Sequence, residues 1–286
     1  MLARPLSRFL AILVLAVFCC GLSSCARLLT GTVIKPAVGN LQHQEDITLV
    51  CEGAPAYLLM LDSMLVSSPE SEELLLIAAQ SYSAYATALE ECGGAEGRIC
   101  IMNDKARTYG KELLRSLLPI DTPEDRRFTE HLAQLRAADV PAPFWGASAW
   151  LGWVIRQKGA PQAVADVVVI EKIMARILEL DEAYQGGAAH LFFGALHAAK
   201  PVQFGGRPDL STHHFEKALE LSRGRFLLVQ TTYAATLART TMDQELHDRL
   251  LKEVLAFPLA NAREFGLSNR IAVNRAKRLL AENYFD

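Results

Sequence analysis

Apolar residues recur along most of this chain at intervals of three and four, and nowhere do they convincingly alternate. That spacing paints one stripe of an α-helix rather than one face of a strand. Clusters of Pro, Gly and Ser cut the pattern into segments at 53–66, 71–91, 103–118, 126–138, 144–157, 164–180, 186–199, 211–222, 227–240, 243–256 and 269–283. The run Val167-Val168-Val169-Ile170 is the one stretch that resembles a strand, but it continues into EKIMARILEL with helical spacing. The whole of 164–180 therefore reads as helix.

Two segments look repeated. Leu75-x-x-Ala78-Ala79-x-x-Tyr82 sets a large residue, two small ones and an aromatic at the offsets of a first tetratricopeptide helix. Phe215-x-x-Ala218-Leu219 has the shape of a second helix, and Ile177-Leu178-Glu179-Leu180-Asp181 stands at the same place in another copy. Small residues let two helices approach, and large ones fill the groove of the next pair. The expected fold is all-α: about four tetratricopeptide-like hairpins stacked as a short α-solenoid. An irregular helical bundle is the alternative.

The N-terminus has a different pattern. Arg4 and Arg8 precede an uncharged run, Phe9 to Leu22, and then Leu22-Ser23-Ser24-Cys25. The run is short of the ~20 apolar residues of a membrane span and suits a secretion signal. The four residues that follow resemble a lipobox, which implies diacylglycerol on Cys25 and cleavage before it. Ala26 favours the outer membrane, facing the periplasm, because no aspartate follows the cysteine. The alternatives are an ordinary signal with a chance cysteine, or a plain anchor helix. The expected organisation is a signal over 1–24, a lipidated tether over 25–46 and one helical domain over 47–286.

Composition narrows the function. With 51% hydrophobic and 21% charged residues the chain can bury a core. A net charge of -3, more acidic still without Arg4 and Arg8, excludes a basic nucleic-acid surface. Export permits disulfides. Cys92 and Cys100 flank a Gly-Gly-Ala-Glu-Gly loop and are the candidate pair; the alternative is three free thiols, with Cys51 at a helix start. No Cys-x-x-Cys and no Cys/His pair at ligand spacing occurs, so neither a metal nor a cofactor is expected.

Five segments carry a resemblance to a known family: EELLLIAAQSYSAY (72–85), FWGASAWLGW (144–153), 163–184, 187–221 with Phe204-Gly205-Gly206 and His214-Phe215-Glu216, and 243–255. Over most of 46–258 the chain resembles the T components of tripartite ATP-independent periplasmic (TRAP) transporters, known as TatT. The resemblance implies a periplasmic lipoprotein with a tetratricopeptide-like fold. Its implied partner is the substrate-binding protein of a TRAP system importing organic acids or similar solutes. It also implies oligomers and an internal channel or cavity, with an apolar or organic-acid ligand. The cysteine-flanked glycine loop departs from that pattern.

No catalytic constellation stands out: Ser148 and Ser222 lack a nucleophile-elbow context. His190 and His197 are seven apart on one helix face, a spacing better suited to packing than to metal. Of His213 and His214, one is expected to face solvent and the other to pack. The binding candidates are Trp145, Trp150 and Trp153, with Trp150 and Trp153 on one face. Phe193 and Tyr233 are expected to line one groove with Trp145 and Trp150. Phe204 and Arg207, in the Phe-Gly-Gly-Arg-Pro loop, and His214 complete the set; Arg207 is expected to pair with a carboxylate. The expected function is a non-enzymatic accessory to solute uptake. An outer-membrane assembly scaffold is the alternative.

Overall fold

A computed structural model of the protein describes residues 35–199 and 202–285, and the side chain of Phe204 is not among the described parts. The lipobox with Cys25 lies outside the described residues. The chain divides into two compact units, Met1–Asn40 and Leu41–Asp286. A helix, α1 (Lys35–His43), runs through the boundary, inside the stretch expected to be an unstructured tether. Pro36 sits in its first turn, where a missing N–H costs nothing.

Everything that follows concerns the second unit. Its helices are α2 (Ile47–Ser67), α3 (Glu72–Glu91), α4 (Glu96–Arg115), α5 (Arg126–Gln134), α6 (Pro141–Arg156), α7 (Pro161–Asp181) and α8 (Tyr184–Ala198). After these come α9 (Pro208–Ser222), α10 (Leu228–Tyr233), α11 (Gln244–Ala256) and α12 (Gly266–Ala281). No strand occurs among the described residues, so the fold is all-α. Local chemistry sets the helix starts. Asp46, Ser71, Asp125 and Asp243 each accept a backbone N–H from the first turn of α2, α3, α5 and α11. Pro141, Pro161 and Pro208 open α6, α7 and α9.

Three boundaries differ most from the sequence pattern. Helix α2 starts at Ile47 rather than 53, because Asp46 caps it and Pro55 is absorbed inside it. Helix α4 starts at Glu96 rather than 103, so Gly97 and Cys100 belong to a helix and not to a loop. The segment expected as one helix over 227–240 becomes α10 followed by a π-helical turn, Ala234–Ala238.

Most helices pack on their neighbours along the chain, but α4 packs on α6 across the short α5. Helix α4 crosses α6 closely, at paired glycines. A Cβ on Gly110 would lie 2.8 Å from the Gly146 carbonyl oxygen, and one on Gly146 would lie 2.9 Å from that of Gly110. Beyond the buried residues of α2 and α3, two hydrophobic clusters run through the core. One joins α4 to α8 around Leu114, Phe128, Trp150, Ile173 and Phe193. The other joins α8 to α12 around Phe215, Leu227, Tyr233, Leu251 and Ala276. The last helix then returns to the first ones. Arg278 holds Glu91 with two hydrogen bonds of 2.6 and 2.7 Å, and Arg270 reaches Glu45 at 3.3 Å. At Gly266 a Cβ would stand 2.3 Å from the His43 carbonyl oxygen, so only glycine fits this contact.

The disulfide corrects the expected pairing. Cys92 joins Cys51, with their Cα atoms 6.8 Å apart, and Cys100 is a free thiol. Cys51 lies in the first turn of α2 and Cys92 caps the end of α3, so neighbouring helices bring them together. Cys100 has turned away into α4. The bridge spans 41 positions, and closing such a loop stabilises by about 4 kcal/mol through the unfolded chain.

Helix α2 is also long and apolar enough by composition to cross a membrane, and 28% of its most apolar window is buried. Its contacts bind it into the body instead. Ile47, Val50, Ala54, Leu58, Leu61 and Leu65 form a buried stripe, Cys51 is bridged, and Asp62 is held by three partners.

Candidate functional site

Helix α4 presents polar residues on two faces, and the two are built differently. Toward α2 and α3, Asp62 accepts hydrogen bonds from Tyr82 at 2.9 Å and Tyr109 at 2.6 Å, and pairs with Lys105. Burial works against the charge of Asp62. The hydrogen bonds from Lys105, Tyr109 and Tyr82 outweigh it and hold the carboxyl below its usual range. Burial, and then the neighbouring Asp62, push the hydroxyls of Tyr82 and Tyr109 up. Every polar group of this bracket has a partner.

Toward α6 and α7 the same helix lays Arg107 and Lys111 over two indoles. The Arg107 guanidinium is 3.8 Å from the Trp153 ring centre, and the Lys111 ammonium is 4.4 Å from that of Trp150. Positions 107 and 111 are one helical turn apart, as are Trp150 and Trp153, so the two faces mesh. Beneath them lies Asp166, 5% exposed. It accepts the Trp150 indole N–H at 2.8 Å and the Gln162 amide at 2.9 Å, and Arg107 stands 4.0 Å away. The Nε of Arg107 is buried with no hydrogen-bond partner among the described residues. Burial, then repulsion from Arg107, lowers the affinity of Lys111 for its proton.

A second cluster lies between α8 and α9. Three successive left-handed residues, Gln185 (φ 51°), Gly186 (φ 68°) and Gly187 (φ 79°), open α8. They turn the chain so that Glu182 comes back over His190, with Oε2 3.4 Å from Nε2. His190 Nδ1 lies 2.9 Å from His214 Nδ1. One arrangement satisfies both contacts: His190 donates through Nε2 to Glu182 and accepts at Nδ1 from His214. His214 also stacks on Phe193 at 5.2 Å and His197 at 5.6 Å. Burial, then the neighbouring His190, His197 and His213, bring the His214 pKa down to about 4. Burial lowers His190 and His197 as well.

The structure separates the expected binding residues. Trp150 is 1% exposed and Trp153 half-buried, and both meet α4. Trp145 points elsewhere, with its ring centre 5.3 Å from that of Phe144. Phe193 is buried in the same cluster as the tryptophans, but Tyr233 belongs to the other one, stacked on Phe215 at 4.5 Å. The four residues expected to share a groove are thus divided between two cores. Arg207 is exposed and pairs with its neighbour Asp209 at 3.0 Å. His213 is exposed and His214 half-buried. The pattern of apolar residues gave no sign of Arg107, Lys111, Asp166 or Glu182. The signal available was a pair of cations one turn apart on a segment facing the tryptophans.

Comparison with known proteins assigns the chain to a family. The family described as TRAP transporter T-component matches residues 43–285. The chain belongs to that family. The comparison with curated proteins finds no match.

Proposed function

We propose that this protein is the lipid-anchored accessory of a TRAP-type uptake system, docking that system's periplasmic substrate-binding protein. The observation that carries the reading is the family match over 43–285, which takes in the whole helical body from α2 to α12. The lipobox residues Leu22-Ser23-Ser24-Cys25 support an anchor at the N-terminal side of that body. On this reading the helices form tetratricopeptide-like pairs on the periplasmic face of the outer membrane, with self-association as a second interaction. The role is binding, not catalysis.

The test is capture of the full-length, tagged protein from its native membrane, with identification of what comes with it. Recovery of a TRAP substrate-binding protein is the expected result. Recovery of outer-membrane barrel-assembly proteins in its place overturns the reading. Metabolic labelling with a fatty acid checks the anchor: the natural chain takes label and Cys25→Ala does not.

A further inference from the structure

Helix α2 packs on α3, touches α12 and reaches α4 through Asp62, and its opposite side faces solvent. On that side Leu49 is 53% exposed, Leu59 67% and Val66 84%. Glu52, Ala56 and Ser63 fill the steps between them and are exposed too. Positions 49, 52, 56, 59, 63 and 66 thus follow one another at intervals of three and four. That is the seam along which one helix packs on another, with small residues admitting the large ones of its neighbour. A helix at the end of a stack needs a polar outer face to remain in water. Along this seam the only charge is Glu52.

The charge around the seam has one sign. No Lys or Arg occurs between Lys35 and Arg98, against ten Asp and Glu. Cations from later helices neutralise some of these acids: Lys105 meets Asp62, Arg278 meets Glu91 and Arg270 meets Glu45. Glu52 on the seam, and Glu70 and Glu72 where α2 turns into α3, have no ion-pair partner among the described residues. The molecule itself shows what suits this layer. Every charged residue of α12 is basic, and α12 covers one flank of the layer with an apolar stripe and the Arg270 and Arg278 pairs. The open flank offers the same combination of apolar surface and unpaired acid. An anionic bilayer is repelled by those acids, and α2 of a second copy would set like charges together. The α12 of a second copy is not free, since Leu267, Ile271, Ala276 and Leu279 are buried in its own body.

We propose that the outer seam of α2 docks an amphipathic helix of a partner protein, one with an apolar stripe at three- and four-residue intervals and Lys or Arg beside it. Leu49, Leu59 and Val66 supply the apolar contacts, and Ala56 and Ser63 the recesses between them. Glu52, Glu70 and Glu72 supply the charges that select a basic helix and fix its register. The inference deepens the uptake reading and rests on it for the partner's identity alone: that reading places the basic helix on the TRAP substrate-binding protein.

The test puts the photo-crosslinking residue p-benzoylphenylalanine in place of Leu59 in the full-length protein, in its own cell, and in place of the exposed Lys252 on α11 as reference. Ultraviolet light should join position 59, and not 252, to one periplasmic protein. The joined peptide, read by mass spectrometry, should be an apolar helical segment carrying Lys or Arg. Glu52→Lys with Glu70→Lys should lower the yield at least tenfold. Val66→Ser, at a position too exposed to matter to the fold, should lower it severalfold. Thermal unfolding of both variants separates lost docking from lost fold. A product of twice the chain's mass, an adduct with lipid, or no adduct at 59 overturns the proposal. So does a yield that neither variant changes. If the joined protein has the stated chemistry but is no substrate-binding protein, the docking face stands and the uptake reading falls. If a substrate-binding protein joins at 252 and not at 59, the uptake reading stands and the docking face falls.

Discussion

The two faces of α4 hold similar residues to opposite ends. On the α2–α3 side, Lys105 and Tyr109 close around Asp62, and each of these groups has a partner. On the α6–α7 side, Arg107 and Lys111 lie on tryptophans with their donors unspent. The first face is a clamp between helices, and its charges are already neutralised. The second sets its charges on aromatic rings. The difference shows that counting charged residues in a groove says little; what matters is whether the fold has already supplied their partners.

The largest effect belongs to the clamp side. Cys51→Ser removes the staple between α2 and α3, and should destabilise by about 4 kcal/mol in oxidising buffer. Chemical denaturation with and without reductant checks this: the reduced natural chain should match the variant, and Cys100→Ser should match the natural chain. The next effect is Asp62→Ala, which strands Lys105 and two tyrosine hydroxyls. A loss of about 2–3 kcal/mol is expected, since half-buried donors lose a charged acceptor. If Asp62→Ala costs nothing, the two faces are not different in kind.

How much of this contrast is legible in the sequence depends on distance along the chain. The helices follow from residues three and four apart, so α3, α6, α7 and α9 appear in the apolar pattern nearly where the structure has them. Trp150 and Trp153 on one face follow from the same local rule. Asp62 meeting Lys105, Cys51 meeting Cys92 and Asp166 meeting Trp150 depend on which helix lies beside which. Periodicity within one helix carries no such information. The Cys92–Cys100 expectation failed for this reason: proximity along the chain stood in for proximity in space. The π-helical turn at Ala234–Ala238 left no local trace either.

The histidine cluster is intermediate: His190 and His214 partner each other, and Glu182 supplies one carboxylate acceptor. His214 has its pKa depressed to about 4, from an ordinary 6.5. Between those values the unfolded chain binds a proton that the folded chain refuses. Stability is therefore fully present above pH 6.5, falls as pH drops toward 4 and levels off below, as far as this group is concerned. Because the ring is only partly enclosed, the loss is discounted to about 1–2 kcal/mol. His214→Phe should flatten the acid limb of a stability-versus-pH curve; an unchanged limb would mean that His214 titrates normally.

The smallest effect is the sharpest discriminator, because the same substitution is made on both faces. Lys105→Met removes a partner from Asp62 and should cost about 1 kcal/mol at neutral pH. Lys111→Met removes a charge that burial and Arg107 already disfavour, so its effect should be near zero or slightly stabilising. The sign follows from linkage. The folded chain holds the Lys111 proton less tightly than the unfolded chain, so the natural protein gains stability as pH rises toward 10.5, and Lys111→Met lacks that gain. The difference between the two proteins should thus narrow with rising pH at 111. At 105 the variant should stay the weaker protein, because Asp62 has lost a partner. Urea unfolding of both variants between neutral and alkaline pH measures this directly. Equal costs at the two positions would mean that Lys111 has a partner as good as Asp62, and that the α6–α7 side of α4 is a second clamp.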